Sequence, residues 1–410
     1  MASFNPGDVF IENITIVSPR VPAWNMARNM LTASILETIF TPGVMGEIEV
    51  IDQDDYLGNF KITGDELVQF QFKKPNGLTA KYDFHLDSIK DVKIIGAMKS
   101  KVYKLNVVSR EVLTGQANHV QKGYNTQISA MVSDIVKTSL NTKLTVNAEE
   151  TKGQRNLKIS NQPALHAIEM LRKEAVSNES KSSNYMFWQT WKGYYFQTLE
   201  YMLKQGDVKT FKQENTINYN PFTADIDSNI IAWSVKQNMD AMNRIQTGAL
   251  NQRVSVFNVH TNQFVKNDIK LNQKDVPQLG LGTLITEAFK SLFGNGNRSM
   301  LRYVNHNLDI NVGKSYVPDA AAYKMLNLSK MQEQMLHMTV IGDPVLEPGR
   351  TINNKIPRVT SKTGSIDLDP QVSGQWLISK VEHQIRGPDV KPRYVCNLEC
   401  LKGAFAEKVE

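Results

Sequence analysis

Apolar and polar residues alternate with a period of two along the first quarter of the chain. Four runs show this pattern, namely Ile48/Val50, Val68/Phe70/Phe72, Tyr82/Phe84/Leu86 and Tyr103/Leu105/Val107. Such alternation is typical of strands with one face in a core and the other in solvent. Asn76-Gly77 lies between two of the runs and is the strongest hairpin signal in the chain. Residues 1–113 are therefore predicted to form a β-sandwich or small barrel.

The period then changes to that of helices. Apolar residues recur at three- and four-residue spacing in 126–140 and in 163–177, where proline lies near the start. Residues 185–199, YMFWQTWKGYYFQTL, predict an aromatic hairpin that turns at Lys192-Gly193. An aromatic stripe can stack bases or sugars, but such hairpins are more often core, and we expect core here.

The second half of the chain returns to β structure. Alternation resumes over 226–264, and residues 267–318 are polar and glycine-rich, with one helix expected at 284–292. Residues 320–336 predict a further helix, and the remainder, 337–404, is β again. The order of elements predicts two β domains separated by a mixed one, with the chain leaving and re-entering the second.

Two turns interrupt the β pattern near the C-terminus. A strand with Met338 and Val340 runs into Gly342-Asp343-Pro344, and Pro348-Gly349 follows before the next strand. Proline presets φ at the second position of a turn, and glycine supplies the positive φ that follows. These residues predict backbone geometry and no chemistry.

Composition and charge narrow the functional classes. The chain has 410 residues, a net charge of +6 and a pI near 9.0. Its length suggests two to four domains. The lysines are scattered, so a solvated surface is expected rather than the basic stripe of a nucleic-acid-binding protein, although some contact with DNA stays open. Cys396 and Cys400 lie about 13 Å apart on one strand face, too far for a disulfide, and are expected to be buried thiols in a reduced compartment. We expect no secretory signal and no membrane span.

The sequence offers no catalytic, cofactor or metal constellation. Gly280-Leu281-Gly282 lacks the third glycine of a dinucleotide loop, and 294–296 is better interpreted as a loop. The acidic run 52–55 lacks the EF-hand glycine and the glutamate at position twelve, so an acidic turn is expected. The seven histidines show no metal-ligand spacing, and no nucleophile elbow is present. We therefore expect no enzyme.

The two C-terminal segments are GDPVLEPG at 342–349 and SGQWLISKVEH at 373–383. In this order they resemble the baseplate hub proteins of contractile-tailed bacteriophages. The upstream segments 51–72, 103–111, 122–135 and 184–199 also resemble passages of that family, in the right order. Residues 265–318 match nothing in the family, and we interpret them as an insertion.

The resemblance implies an α+β, mainly β fold with two small antiparallel β-barrel domains and a mixed α/β domain, assembling as a ring. The expected domains are a first barrel at 1–113, a mixed domain at 114–200 continued in 251–336, a second barrel formed by 201–250 with 337–404, and a tail at 405–410. No residue-level duplication is visible between the two β regions, so the repeat follows from the resemblance alone. The family-motif turns are Gly64, Gly342, Asp343, Pro348, Gly349 and Gly374. They are expected to shape the fold, not to contact partners.

The implied function is that of a structural virion protein in the tail baseplate, assembled in the host cytoplasm. Three copies would form a pseudo-sixfold ring that joins the sixfold tail tube to a threefold central spike. The partners implied are a homotrimer, the tail tube protein, the spike protein and other baseplate proteins, with DNA only passing through the ring, and no cofactor. The alternatives are a hub of a related contractile injection system, a cell-wall-degrading tail enzyme and a DNA-binding protein.

Overall fold

The structure is a computed structural model. It describes residues 7–237 apart from 19, 21, 61, 76, 97–99, 181 and 214–225. It also describes the backbone of the strands at 251–258, 263–270 and 299–300, positions 324 and 331, and residues 334–402 apart from 359–367, 388–389, 391 and 392. Strand accounts for 55% and helix for 16% of the structure, which confirms the mainly β class.

The first part of the chain is almost entirely strand. Its elements are β1 (Phe10–Val17), β2 (Trp24–Asn25), β3 (Met30–Thr38), β4 (Met45–Asp52), α1 (Tyr56–Asn59), β5 (Leu67–Lys73), β6 (Thr79–Ile95) and β7 (Ser100–Ser109). Every second side chain of β5 is buried, from Val68 to Phe72, as the alternation predicts. Strands β5 and β6 pair antiparallel on either side of Asn76-Gly77, so the predicted hairpin is confirmed.

The middle of the chain is mixed. Its elements are α2 (Arg110–Ala117), β8 (His119–Thr126), α3 (Ile128–Thr138), β9 (Thr145–Ala148), β10 (Arg155–Pro163), α4 (Ala164–Glu174), β11 (Tyr185–Gln189), β12 (Gly193–Thr198) and α5 (Leu199–Lys204). Helices α3 and α4 and the β11–β12 hairpin confirm three predictions. Helix α2 was not predicted, because the expected β domain was extended to residue 113. These elements, apart from α5, enclose a core of their own, whereas Leu199 and Met202 of α5 pack in a separate cluster with Leu377 and Leu401.

The last part returns to strands. Its elements are β13 (Asp207–Lys212), a 3-10 turn (Ile226–Ser228), β14 (Ile230–Gln237), β15 (Asn251–Asn258), β16 (Gln263–Lys270), β17 (Ser299–Met300), β18 (Gln334–Ile341), β19 (Thr351–Lys355), β20 (Gly374–Arg386) and β21 (Tyr394–Lys402).

Two predicted bounds in this part were wrong. The helix predicted at 320–336 is helical at Lys324 and Met331 but ends before Gln334, because Gln334–Leu336 pair with β21. The irregular region predicted from 267 begins later, because β16 continues to Lys270. The helix predicted at 284–292, the glycines at 280–282 and 294–296 and the tail at 405–410 lie outside the described residues.

Eleven strands form one path through the largest sheet, in the order β14-β18-β21-β20-β3-β4-β7-β6-β5-β1-β2, and β19 adds to β20 while β13 adds to β19. Both predicted β domains therefore belong to one sheet, and their inner faces share one continuous core. The described strands do not close into a barrel. The predicted domain boundaries stay a prediction.

The sheet contains an internal repeat that the sequence did not reveal. In chain order, β3, β4, β5, β6 and β7 form the first half, and β14, β18, β19, β20 and β21 form the second. In each half the first strand pairs with the second, the second with the fifth, the fifth with the fourth and the fourth with the third. Five strands thus repeat with the same topology.

Two irregularities of the strands repeat as well, whereas a further shift between Lys90 and Lys93 in the β6–β7 pair has no counterpart in the β20–β21 pair. A bulge follows Met30 in the β3–β4 pair, and one follows Ile230 in the β14–β18 pair. A second bulge lies between Leu86 and Ser88 in the β6–β7 pair, and its counterpart lies between Ile378 and Lys380 in the β20–β21 pair. Bulges mark fixed positions in a sheet, so the two halves correspond in register.

Candidate functional site

The glycines among the predicted turn residues have two different roles, one in backbone conformation and one in packing. Gly64, Gly349 and Gly374 have φ of +95°, +84° and +99°, a region that residues with a Cβ rarely adopt. Gly342 instead provides space, because a Cβ at this position would overlap the ring of Tyr394. Gly349 also lies against Trp188, so the backbone conformation and the packing both require glycine there.

Asp343 holds the turn between β18 and β19. Its Oδ1 accepts a hydrogen bond from the backbone N–H of Val345 at 3.1 Å, and its Oδ2 lies 3.0 Å from Lys209 Nζ on β13. Pro348 lies in the same connection, one residue before Gly349. The β18–β19 connection is thereby held against β13 through Asp343 and against the aromatic hairpin through Gly349 and Trp188.

A cluster of polar and aromatic side chains lies where three parts of the chain meet, around two buried glutamates. We call it the junction cluster, and its members are Glu37 on β3, Tyr82 on β6, Thr190, Trp191 and Lys192 in the hairpin turn, Tyr195 on β12 and Glu347 in the β18–β19 connection. Trp191 anchors the hairpin turn by donating from Nε1 to the Pro344 carbonyl at 3.1 Å. No motif in the sequence marks this cluster, since its members are scattered over more than 300 positions.

Glu37 is fully buried in the junction cluster. Its Oε1 accepts hydrogen bonds from the Tyr82 hydroxyl at 2.9 Å and from the backbone N–H of Trp191 at 2.8 Å. Its Oε2 has no hydrogen-bond partner in the described part of the chain. Burial, and next the charge of Glu347, raise the pKa of Glu37 to about 8. Glu37 is therefore largely protonated at neutral pH.

Glu347 is the second buried carboxylate of the cluster, and it is paired. It forms an ion pair with Lys192 and accepts a hydrogen bond from the Tyr195 hydroxyl at 3.2 Å. Lys192 thus neutralises Glu347, and protonation of Glu37 avoids a second buried negative charge beside it. Both carboxylates are at most 3% exposed, so no substrate reaches them in this conformation.

A second buried group contains a cysteine and a histidine. His383 Nδ1 lies 2.8 Å from the Tyr394 hydroxyl and 3.3 Å from Cys396 Sγ. Burial lowers the pKa of His383 to about 4 and raises the pKa of Cys396 to about 12. A nucleophilic cysteine needs the opposite shift and an open approach. This arrangement is that of a core polar group, as expected for both cysteines, which are free and buried.

The acidic run at 52–55 is accounted for by local contacts. Asp52 accepts hydrogen bonds from the N–H groups of Tyr56 and Leu57 at 2.9 and 3.0 Å, and Asp55 caps α1 and pairs with Lys101. Within the ranges that the structure describes, no three His, Cys, Asp or Glu side chains are grouped as metal ligands.

The aromatic hairpin is core, as predicted. Tyr185, Trp188, Tyr194 and Phe196 are all buried and stack in pairs, for example Tyr185 on Phe196 with ring centroids 4.5 Å apart. These rings are not available to stack on bases or sugars.

Eight neighbouring strands of the large sheet run from β14 to β6, and apolar side chains are exposed on both of these outer strands. Ile94, near the end of β6, is 72% exposed, and Trp233 on β14 is 37% exposed. Trp233 also lies in an open groove of about 460 Å³ whose wall includes Glu382 and Glu399. None of the described helices is both long and apolar enough to span a bilayer.

The fold is similar to that of two solved structures described as tail proteins. The chain is similar to the tail protein from Neisseria meningitidis MC58, with a TM-score of 0.57 and 11% identity over 95% of this chain and 96% of that one. It is also similar to the 43 kDa tail protein of prophage MuSo2 from Shewanella oneidensis, with a TM-score of 0.54 and 9% identity over 95% of this chain and 98% of that one. No protein-family model matches the sequence, and no curated protein matches it. The resemblance to phage tail proteins is thus confirmed for the fold.

Proposed function

We propose that this protein is a structural component of a phage tail baseplate, and specifically a hub. Three copies form a pseudo-sixfold ring that joins the tail tube to a central spike, and the ring meets other baseplate proteins. The observation that carries the proposal is the repeated five-strand topology within a fold that matches tail proteins over almost its whole length.

The repeat supports this stoichiometry for a geometric reason. A ring of three chains with two equivalent halves each presents six similar units, so it can face a sixfold tube on one side and a threefold spike on the other. The tube and spike as partners, and the location in the virion after assembly in the host cytoplasm, come from the resemblance of the sequence segments.

We propose a non-enzymatic role. The buried carboxylates of the junction cluster and the Cys396–His383 group are both enclosed, which favours structural roles for them. A turbidity assay on cell walls tests this, and lysis that a single carboxylate substitution abolishes would contradict it. DNA affinity that falls steeply with salt would instead favour the DNA-binding alternative.

The decisive experiment is the native mass of the purified chain, measured alone and with its spike partner. We expect a trimer, or a monomer that becomes a trimer with the spike, and class averages of near-sixfold outline in the electron microscope. A stable dimer under both conditions would refute the hub. A hub from a related contractile injection system would give the same mass, and the identity of the tube that it binds distinguishes the two.

A further inference from the structure

A lysine and two buried glutamates meet in the junction cluster. Lys192 forms an ion pair with Glu347, whose side chain is only 4% exposed. Glu37 is fully buried, and the charges of both Glu347 and Lys192 act on its carboxyl group. Two carboxyl groups close together in a buried site cannot both be charged without a large cost, so one of them is held neutral. The proposed function uses none of these three groups.

The amine of Lys192 is held in place by the hairpin turn. The Thr190 hydroxyl accepts a hydrogen bond from the backbone N–H of Lys192 at 3.2 Å, and the Thr145 hydroxyl donates to the Lys192 carbonyl at 3.0 Å. At the far end of the side chain, Nζ lies 5.0 Å from the centre of the Trp191 ring. Both ends of the lysine are therefore positioned beside Glu347.

The two carboxyl oxygens of Glu347 have different surroundings. Oε2 accepts hydrogen bonds from the Tyr195 hydroxyl at 3.2 Å and from the Thr190 hydroxyl at 3.5 Å, whereas Oε1 contacts the amine of Lys192. Donors aimed at one oxygen stabilise negative charge that develops on it. The carboxyl group is therefore arranged to accept attack at its carbon, Cδ, by the amine on the other side.

Glu37 supplies a proton-carrying group in the same site. Its Oε1 is held by Tyr82 and by the backbone of Trp191, while its Oε2 has no hydrogen-bond partner among the described residues. Burial raises the pKa of Glu37 to about 8, so this carboxyl is protonated at neutral pH. A neutral carboxyl group can give a proton from one oxygen and take one on the other.

We propose that Lys192 and Glu347 form an intramolecular isopeptide bond, with Glu37 as the group that moves protons between them. An amine, an enclosed carboxyl and a neutral acid held together are what amide formation needs, because proximity replaces external activation. The bond ties the β11–β12 hairpin covalently to the β18–β19 connection. It belongs to the single chain and does not depend on the proposed assembly.

The reaction balances within the three side chains. The Lys192 ammonium first passes a proton to Glu347 Oε1, which leaves a neutral amine beside a neutral carboxyl group. Nζ then attacks Cδ, and as the N–C bond forms Glu37 takes a proton from the nitrogen and gives its own proton to Oε1. The bond between Cδ and Oε1 breaks, water leaves and Glu37 is protonated again. The Lys192 side chain is 36% exposed, so the water has a path to solvent.

The test is the intact mass of the purified full chain under denaturing conditions. We expect a mass about 18 Da below that of the sequence, because amide formation expels one water. Trypsin should give peptide 182–204, uncleaved at Lys192, joined to peptide 331–350. Lys192→Arg should show the full mass of its sequence and separate peptides, since arginine keeps the charge but stays protonated and does not attack.

Two variants test the other groups of the site. Glu347→Gln should still give the joined peptides but with loss of ammonia, about 17 Da, because a side-chain amide is also an acceptor for an amine. Glu37→Gln keeps the shape of the cluster without an ionisable proton, so bond formation should slow roughly tenfold or more. In wild-type chain purified unfolded and then refolded, the rate should fall as pH rises past about 8, where Glu37 ionises.

The ion pair between Lys204 and Glu179 is the matched control within the same chain. Its side chains are 59% and 64% exposed, so it lacks the enclosure of the junction cluster. The peptides that contain this pair should stay unjoined to each other by any side-chain bond. Equal joining at both pairs would overturn the assignment to the cluster, because it would show that contact alone suffices.

The wild-type measurement decides the proposal even where a variant fails to fold. A folded wild-type chain that keeps the full mass of its sequence after days at neutral pH would overturn the bond. A mass deficit that persists in Lys192→Arg would place the lost water elsewhere and would overturn it equally. Joining of Glu37→Gln at the wild-type rate would overturn the role of Glu37 and leave the bond itself supported.

Discussion

Glu37→Gln should flatten the dependence of stability on pH. The glutamine amide has the shape of the protonated carboxyl and can keep accepting from Tyr82 and Trp191 through its oxygen. The substitution removes the ionisable proton of residue 37 and keeps the two hydrogen bonds. We therefore expect a folded protein in which the proton is no longer coupled to folding.

The sign follows from the two pKa values of Glu37. The pKa is about 8 in the folded chain and near the ordinary value of 4.5 in the unfolded chain. Between these values the folded state binds a proton that the unfolded state lacks, so the free energy of unfolding falls as pH rises. The contribution is fully present below pH 4.5 and is lost as pH rises to about 8.

The magnitude is large because Glu37 is fully buried. At about 1.4 kcal/mol per pH unit, the wild-type protein should lose roughly 3 to 4 kcal/mol between about pH 5 and about pH 8 from this one group. Glu37→Gln should lose correspondingly less over the same interval.

The assay is urea unfolding followed by tryptophan fluorescence at several pH values across this interval. Glu179→Gln is the matched control, since Glu179 forms an exposed ion pair with Lys204 and its substitution should leave the wild-type slope. Parallel wild-type and Glu37→Gln lines would refute the reasoning, because they would show that Glu37 titrates alike in the folded and unfolded chain.

Two further predictions use the packing of the second half. Gly349→Val should lower stability by about 3 kcal/mol or more, since it combines a positive φ with overlap of Trp188. Gly206→Val, at a φ of +78° with open space around it, should show only the smaller backbone cost, so equal unfolding midpoints would contradict this account. Burial raises the pKa of both Cys396 and Cys400, so an aromatic disulfide reagent at pH 8 should label neither thiol in the native protein and both in urea; fast native labelling would show that the core opens.

Local patterns predicted most of the elements well. The alternation of Val68, Phe70 and Phe72 placed β5 and its buried face, and the stripe from Ile128 to Val136 placed α3. These predictions succeeded because the period of apolar residues depends on the local backbone alone. The helix end near Gln334 was wrong because pairing with β21, far along the chain, decides where the strand begins.

The turn residues were recognised from the sequence, but the reasons for them were only partly visible. The positive φ of Gly349 is turn chemistry, whereas its contact with Trp188 depends on a hairpin more than 150 positions away. The junction cluster was missed entirely. Glu37 and Glu347 carry no local signal of burial, since a glutamate in an alternating strand is usually exposed.

The sequence by itself determined the strand and helix periods, the turns and the absence of any recognised catalytic motif, because each of these is set by residues close together in the chain. Only the tertiary structure decided that the two β regions share one sheet, that their strands repeat in order, and that two distant glutamates lie buried in one cluster. Topology can be kept while side chains diverge, since a sheet needs matched hydrogen-bonding edges and an apolar inner face but not particular residues. For this reason the repeat is evident from the strand pairing but cannot be detected in the amino-acid sequence.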